Sequence, residues 1–331
     1  MDERVMVFAP APLLTVTIEQ QADTLELHLH PGGQGVWQSR MITCLGTPVT
    51  LCVALGGEVG AALGKLLVDE DVTLRVVNGG STTGWYVHDR RDGSRAEVAE
   101  NPGTPMARHD IDELYTVTLT EGLRAPVSVL SGPADPDVVD PDIYRRLAAD
   151  LTANGGTVVA DLSGAHLAAV LDGGIAVLKV SHEELIDDGL ADDDSVGALL
   201  AAGRALRERG AASVLISRAG EPALALLDDQ PPMLVHAPPL ELADHRGAGD
   251  SMTAGVAAVL ARGGDLTEAV RTGAAAGALN VTRHGLGTGR AEAVRELAGR
   301  VRLTPLDEGT AGKQTGNEKT EDGRTGDDGG R

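Results

Sequence analysis

Asp244-His245-Arg246-Gly247-Ala248-Gly249-Asp250-Ser251-Met252-Thr253-Ala254-Gly255 sets a glycine-rich turn and a carboxylate at the head of an apolar helical run. The start of a helix offers unpaired backbone N–H groups and a partial positive charge. Gly247 and Gly249 lack Cβ atoms, so a phosphate could approach those N–H groups closely. Asp250 stands beside the same spot, where its carboxylate could take a proton from an attacking hydroxyl. An anion cradle next to a base is the minimal equipment for phosphoryl transfer to an alcohol. A capped helix is the plainer reading of the same residues. The two readings are compatible, and the surrounding sequence decides how much the stretch means.

Working outward, short apolar runs alternate with helical stretches, the pattern of a parallel sheet with helices on both faces. Strands are expected at Val5–Phe8, Val49–Val53, Val127–Leu130, Thr157–Asp161, Ile175–Lys179 and Ser213–Ser217. Helices are expected at Gly35–Leu45, Gly60–Glu70, Asp142–Asn154, Glu183–Asp187, Ser195–Arg209, Ser251–Arg262, Leu266–Arg283 and Ala291–Val301. Asp265-Leu266-Thr267-Glu268 has capping-box spacing and fixes one helix start. Two segments break the alternation. In residues 15–30, Leu25, Leu27 and Leu29 interleave with polar residues, a period of two that predicts a strand with one buried face. Residues 74–100 read similarly, with a turn at Arg91-Asp92-Gly93-Ser94. Together they predict a small sheet beside the main one. The tail, residues 304–331, is polar and aperiodic and is expected to be disordered.

The 331 residues are 42% hydrophobic, enough for one large core or two modest ones, and carry a net charge of −21. That charge argues against nucleic acid or an anionic membrane as a partner. No apolar run reaches the roughly 18 residues of a membrane span. The N-terminus reads as the lead into a strand rather than a signal peptide. Cys44 and Cys52 read as free buried thiols, and a cytoplasmic location fits all of this. No P-loop, zinc-ligand spacing or G-x-S-x-G elbow competes for the chemistry. Aromatic residues are only 2% of the chain, which leaves Trp37 and Trp85 conspicuous.

In its motifs the chain resembles the PfkB (ribokinase-like) family of carbohydrate kinases, over about Val5 to Val301. The family's D-T-x-G-A-G-D signature is similar to Asp244–Asp250, and its G-G-K-G loop to Gly32-Gly33-Gln34-Gly35. Leu55-Gly56-Gly57-Glu58-Val59-Gly60 resembles the G-x-G-G-x-x-G turn, and Leu130-Ser131-Gly132-Pro133 resembles L-S-G-S-L-P. Asp161-Leu162-Ser163-Gly164 and Leu178–Leu185 resemble the D-T-S-G and K-P-N-x-x-E-L segments of the 1-phosphofructokinase and tagatose-6-phosphate kinase branch. One such motif is weak; together, in the family's order, they are strong.

The resemblance implies a three-layer α/β/α fold in residues 1–303, with a mostly parallel central sheet and a small inserted β lid that also serves as a homodimer surface. It implies ATP and Mg²⁺, with Asp250 as general base and Gly247, Ala248 and Gly249 as the anion hole. Glu184 matches the glutamate that helps hold Mg²⁺ through water; an acidic helix start is the plainer reading. Ser217 and Gly220 fall in the nucleotide loop, where Ala219 and Pro222 replace glycines. Asn280 and Gly287 fall in the adenine-side helix end and G-T-G turn.

The acceptor side departs from the family. Leu13, Gly32, Gly33, Gln34 and Trp37 occupy the sugar-binding positions. Ala9 replaces an asparagine, Leu13 an aspartate, Gln34 a lysine, Trp37 an asparagine and, in the lid, Thr83 an arginine. An apolar, aromatic pocket of Leu13, Trp37 and Trp85 would leave a phosphosugar poorly paired. A kinase for a less charged alcohol, such as a nucleoside or deoxy sugar, is therefore the first expectation. Core packing or a dimer contact accounts for both tryptophans nearly as well. A non-catalytic nucleotide- or metabolite-binding regulatory protein on a kinase fold is the alternative. A phosphofructokinase in which Arg40 or Arg246 replaces the lost cations is a third reading.

Overall fold

In a computed structural model, residues 3–241, 246–282 and 287–306 are described. Asp244 and His245 of the opening stretch, Gly285 and the tail beyond residue 306 lie outside them. The chain begins with β1 (Val5–Phe8), the hairpin β2 (Leu13–Gln21) and β3 (Thr24–Gly32), α1 (Gln34–Cys44), β4 (Val49–Leu55), α2 (Gly57–Val68) and β5 (Thr73–Asn78). A second hairpin, β6 (Thr83–Asp89) and β7 (Ala96–Gly103), precedes α3 (Arg108–Gly122), β8 (Val127–Ser131), α4 (Asp142–Ala153) and β9 (Thr157–Asp161). Next come α5 (Gly164–Gly173), β10 (Ile175–Ser181), α6 (His182–Asp187), α7 (Val196–Glu208), β11 (Ala211–Arg218), β12 (Glu221–Leu226) and β13 (Met233–His236). The chain closes with α8 (Ala248–Ala261), α9 (Leu266–Asn280), α10 (Ala291–Ala298) and β14 (Arg302–Pro305).

Ten strands form one sheet in the order β14-β13-β12-β11-β10-β9-β8-β1-β4-β5. From β11 to β5 the neighbours are parallel, whereas β12, β13 and β14 add an antiparallel edge. The parallel strands are apolar on both faces, because helices cover both. In β1, Val5 and Val7 enter one core with α1, α2, α8 and α9, while Met6 and Phe8 enter the other with α3, α4, α5 and α7. This is the expected three-layer α/β/α arrangement. No helix among the described residues is long and apolar enough to cross a membrane.

The small sheet has the order β3-β2-β6-β7. The stretch 15–30 is thus a hairpin and not a single strand. Residues 73–78, part of the second segment read as lid, are instead β5 of the main sheet, drawn there by parallel pairing with β4. Leu25, Leu27 and Leu29 do not form a buried face: they are 64%, 63% and 44% exposed, since no element among the described residues covers that end of the small sheet. Thr304 and Pro305, expected in the tail, pair with β13. Asp265 caps α9 through the Glu268 N–H as expected. Cys52 is buried, which pushes its thiol up to about 12, and Cys44 is half-buried; both are free.

Candidate active site

The carboxyl ends of the parallel strands meet the N-terminus of α8, where open α/β sheets place their ligands. Ser131 ends β8, Asp161 ends β9, Lys179 and Ser181 end β10, and Ser217 lies near the end of β11; the registers align Ser131 with Asp161, Asp161 with Lys179, and Ser181 with Ser217.

Helix α8 starts three residues earlier than its apolar run suggests. Gly247 is its N-cap, in the left-handed conformation at φ 72°, which glycine adopts without strain. Ala248, Gly249 and Asp250 form the first turn, and the Ser251 N–H is bonded to the Gly247 carbonyl. The N–H groups of Ala248, Gly249 and Asp250 have no acceptor within the helix and point out of its end. A methyl group at Gly249 would overlap Lys179 Nζ and stand 2.9 Å from its Cε. The lysine therefore lies against the glycine turn because nothing larger than hydrogen is there.

Beneath the turn is a buried polar network. Lys179 Nζ donates to Asp161 Oδ1 at 3.2 Å, and the Thr253 hydroxyl donates to Asp161 Oδ2 at 2.8 Å. Gln38 Nε2 donates to Asp161 Oδ2 at 3.1 Å and to Asp250 Oδ1 at 3.4 Å. Burial pushes the Asp250 carboxyl up to about 7, and the Asp161 and Glu184 charges add to this. Lys179 and the Gln38 hydrogen bond oppose it. Burial works against the Lys179 charge, but Asp161, Glu184 and Asp250 together outweigh it and hold the ammonium protonated. Asp250 thus has the two properties a general base needs, an affinity for protons near neutrality and a place at the mouth of the cradle.

At the head of α1, Leu13, Gly32, Gly33, Gln34 and Trp37 are brought together. Gly33 is the N-cap at φ 100°; a methyl group at Gly32 would stand 2.5 Å from Thr15 Oγ1 and 3.7 Å from the Trp37 ring. Gln34 Oε1 accepts the Gly132 N–H at 2.6 Å, which ties this loop to the end of β8. Trp85 does not join them. It pairs with Leu14 in the β2–β6 register, so it shares a face with Leu14 and Val16 and packs into the core on the side away from Leu13. The tryptophan pair read from the sequence is thereby reduced to Trp37. Thr83 is also spent, because its buried hydroxyl accepts the Gly56 N–H at 2.9 Å.

Glu184 completes a capping box with Ser181: one carboxylate oxygen accepts the Ser181 N–H at 2.7 Å. Asn280 is fully buried, with Nδ2 donating to the Arg246 carbonyl at 2.7 Å and Oδ1 accepting the Gly287 N–H at 3.1 Å. Both ends of its amide are occupied, so Asn280 braces the loops on either side of the cradle and does not offer itself to a cofactor. Gly287 is left-handed at φ 65° and packs on the Trp37 backbone, where a methyl group would overlap the carbonyl oxygen. The Ser217 carbonyl accepts from His182 Nδ1 at 3.3 Å, and Gly220 lies in the β11–β12 turn, where Ala219 takes the left-handed position at φ 44°.

In the sequence Asp161 and Lys179 stand out only as parts of motifs, and Gln38 belongs to none of them. A polar glutamine on an otherwise inward-facing side of α1 was the signal available for it.

A profile described as pfkB family carbohydrate kinase matches residues 14–293. ATP-dependent 6-phosphofructokinase isozyme 2 of Mycobacterium tuberculosis is 30% identical over 253 residues, covering 75% of this chain and 73% of its own length. The 1-phosphofructokinase of Bacillus subtilis is 27% identical, over 84% and 89% of the two chains. The crystal structure of phosphofructokinase-2 from Escherichia coli in complex with potassium superposes with a TM-score of 0.78 at 25% identity, covering 90% of this chain and 98% of that one.

Proposed function

The chain belongs to the pfkB family of carbohydrate kinases, and from that footing we propose how its residues divide the work. It is a phosphotransferase for a carbohydrate-class acceptor, and the family implies ATP as donor with Mg²⁺ as its usual companion. Asp250 removes the proton from the acceptor hydroxyl, and the N–H groups at the start of α8 stabilise the phosphoryl group in flight. Lys179, held against Gly249, adds a fixed positive charge beside the same point. The observation that carries this reading is the position of Asp250, raised toward neutrality at the head of a glycine-capped helix. A protein that only binds has no need of such a base, and relatives named as kinases match most of the chain; the non-catalytic alternative is not favoured.

Among the described residues no group of three or more His, Cys, Asp or Glu side chains could hold an ion alone. Glu184, one of whose carboxylate oxygens is not used by the Ser181 N–H, would help hold Mg²⁺, which would supply charge neutralisation for the nucleotide phosphates.

The relatives are named for fructose phosphates, which favours a phosphosugar acceptor. Three residues favour an acceptor without a phosphate at that end. Gln34 is neutral and tied to Gly132, and Thr83 is bonded to Gly56. Arg40 is engaged by Glu70 at 2.7 Å (Nε) and 2.5 Å (Nη2), with Nη2 also donating to the Pro31 carbonyl. The acceptor proposed is a sugar or sugar-like alcohol recognised by neutral donors and by the Trp37 face. ADP release across fructose 1-phosphate, fructose 6-phosphate and their unphosphorylated counterparts tests this; turnover confined to the phosphosugars would refute it. The exposed Leu25, Leu27 and Leu29 ladder supports a homodimer through the lid, since an uncovered apolar strand is a costly surface for a monomer.

A further inference from the structure

Gln38 lies one turn beyond Gln34 on α1 and is completely buried. Its Oε1 accepts the Ser131 hydroxyl at 2.5 Å, and the Ser131 carbonyl in turn accepts the Tyr144 hydroxyl at 2.9 Å. With its carbonyl taken by a hydroxyl, the amide can present only N–H groups on its other side, and these face Asp161 and Asp250. The opposite orientation would set an amide oxygen against two carboxylates, so the network fixes the assignment. The charged groups facing Asp250 are Asp161, Lys179 and Glu184. Only Lys179 is cationic, and its ammonium donates to Asp161. Asp250 Oδ1 is thus met by a neutral amide, which is shared with a second acid.

We propose that Gln38 is a positioning residue that clamps Asp250 to Asp161 and holds the Asp250 carboxylate in place as an ionised acceptor of protons. The inference rests on Asp250 being the base. Two adjacent carboxylates, Asp161 buried and Asp250 half-buried, repel each other, and a donor bridging them lets both remain charged at close range. Ser131 sets the bridge from the far side, so the end of β8, which also binds Gln34 through Gly132, is mechanically linked to the base.

The test is Gln38→Met, which keeps the length and removes the donor, with Ser131→Ala, which keeps the donor and removes its anchor. In Gln38→Met the acid limb of kcat moves to higher pH by about half to one pH unit. At pH 7 kcat falls about two- to fivefold while KM for Mg-ATP stays within about twofold. Ser131→Ala moves the limb in the same direction by less. Carbon-13 titration of the Asp250 carboxyl, assigned with Asp250→Asn, reads the same shift in the whole protein without any acceptor. A folded variant with lowered thermal stability but an unmoved carboxyl titration would reduce Gln38 to a packing role and overturn the proposal. If Gln38→Met does not fold, the titration in Ser131→Ala decides in the same way. Absence of turnover in the wild type on every sugar would count against the kinase assignment of Asp250 and would leave the titration result for Gln38 standing.

Discussion

Lys179 Nζ stands 3.2 Å from Asp161 Oδ1, and neither side chain has appreciable contact with solvent. A pair this deep is sustained by its mutual charge, by the Glu184 and Asp250 charges acting on Lys179, and by the further donors on Asp161, Thr253 and Gln38. Replacing Lys179 with methionine leaves an acidic cluster with no cation. The expected cost is about 3–5 kcal/mol of folding stability at pH 7, read by urea denaturation. A loss below about 1 kcal/mol would mean that water or relaxation replaces the lysine.

The pH dependence of activity follows from Asp250. Its carboxyl ionises near 7, so kcat/KM is expected to fall about tenfold per pH unit below that point, because the base must be deprotonated. A profile flat down to pH 5 would remove Asp250 as the base.

Stability carries the opposite sign. The folded carboxyl holds its proton more tightly than an unfolded one, so this group's contribution is fully present below the unfolded value near 4 and is lost as pH rises toward 7. Asp250→Asn should therefore raise the melting temperature at pH 8, with the gain shrinking toward pH 5. An equal gain at both pH values would contradict the shifted ionisation.

Much of this was legible in the chain. Val5–Phe8 and Thr157–Asp161 are apolar runs bounded by turn residues, and the structure places β1 and β9 on those same residues. The Gly247–Asp250 stretch reads as a helix start, and the structure places the N-cap of α8 at Gly247. Helix α3 is not legible because Thr116, Val117, Thr118 and Thr120 give its second half the look of a strand, and tertiary packing through Leu114 overrides that preference. Helix α5 is short and bounded by glycines. Trp85 was misplaced because strand register, which sets its face, depends on a partner strand. The Gln38 clamp joins positions 123 and 212 residues apart in sequence, a proximity no local pattern encodes.

Gly249→Ala puts a methyl group into Lys179 and the cradle together. The fold has other support, so the melting temperature should fall by only a few degrees, while turnover drops about 100-fold or more. Activity retained within about threefold would show that the phosphoryl group does not use this turn.

Leu27 is 63% exposed on β3 and pairs with Ile18 on β2. Leu27→Glu should convert a dimer to a monomer in sedimentation velocity, with the thermal transition of the monomer preserved. A wild-type chain that sediments as a monomer at high concentration would remove the lid interface.

The measurement that bears most directly on the account is ADP release with Mg-ATP over a panel of sugars, sugar phosphates and nucleosides, comparing the wild type with Asp250→Asn. The account predicts acceptor-dependent ADP formation that falls by about 10³-fold or more in the variant while ATP still protects it against thermal unfolding. Acceptor-dependent turnover that survives the substitution would contradict it.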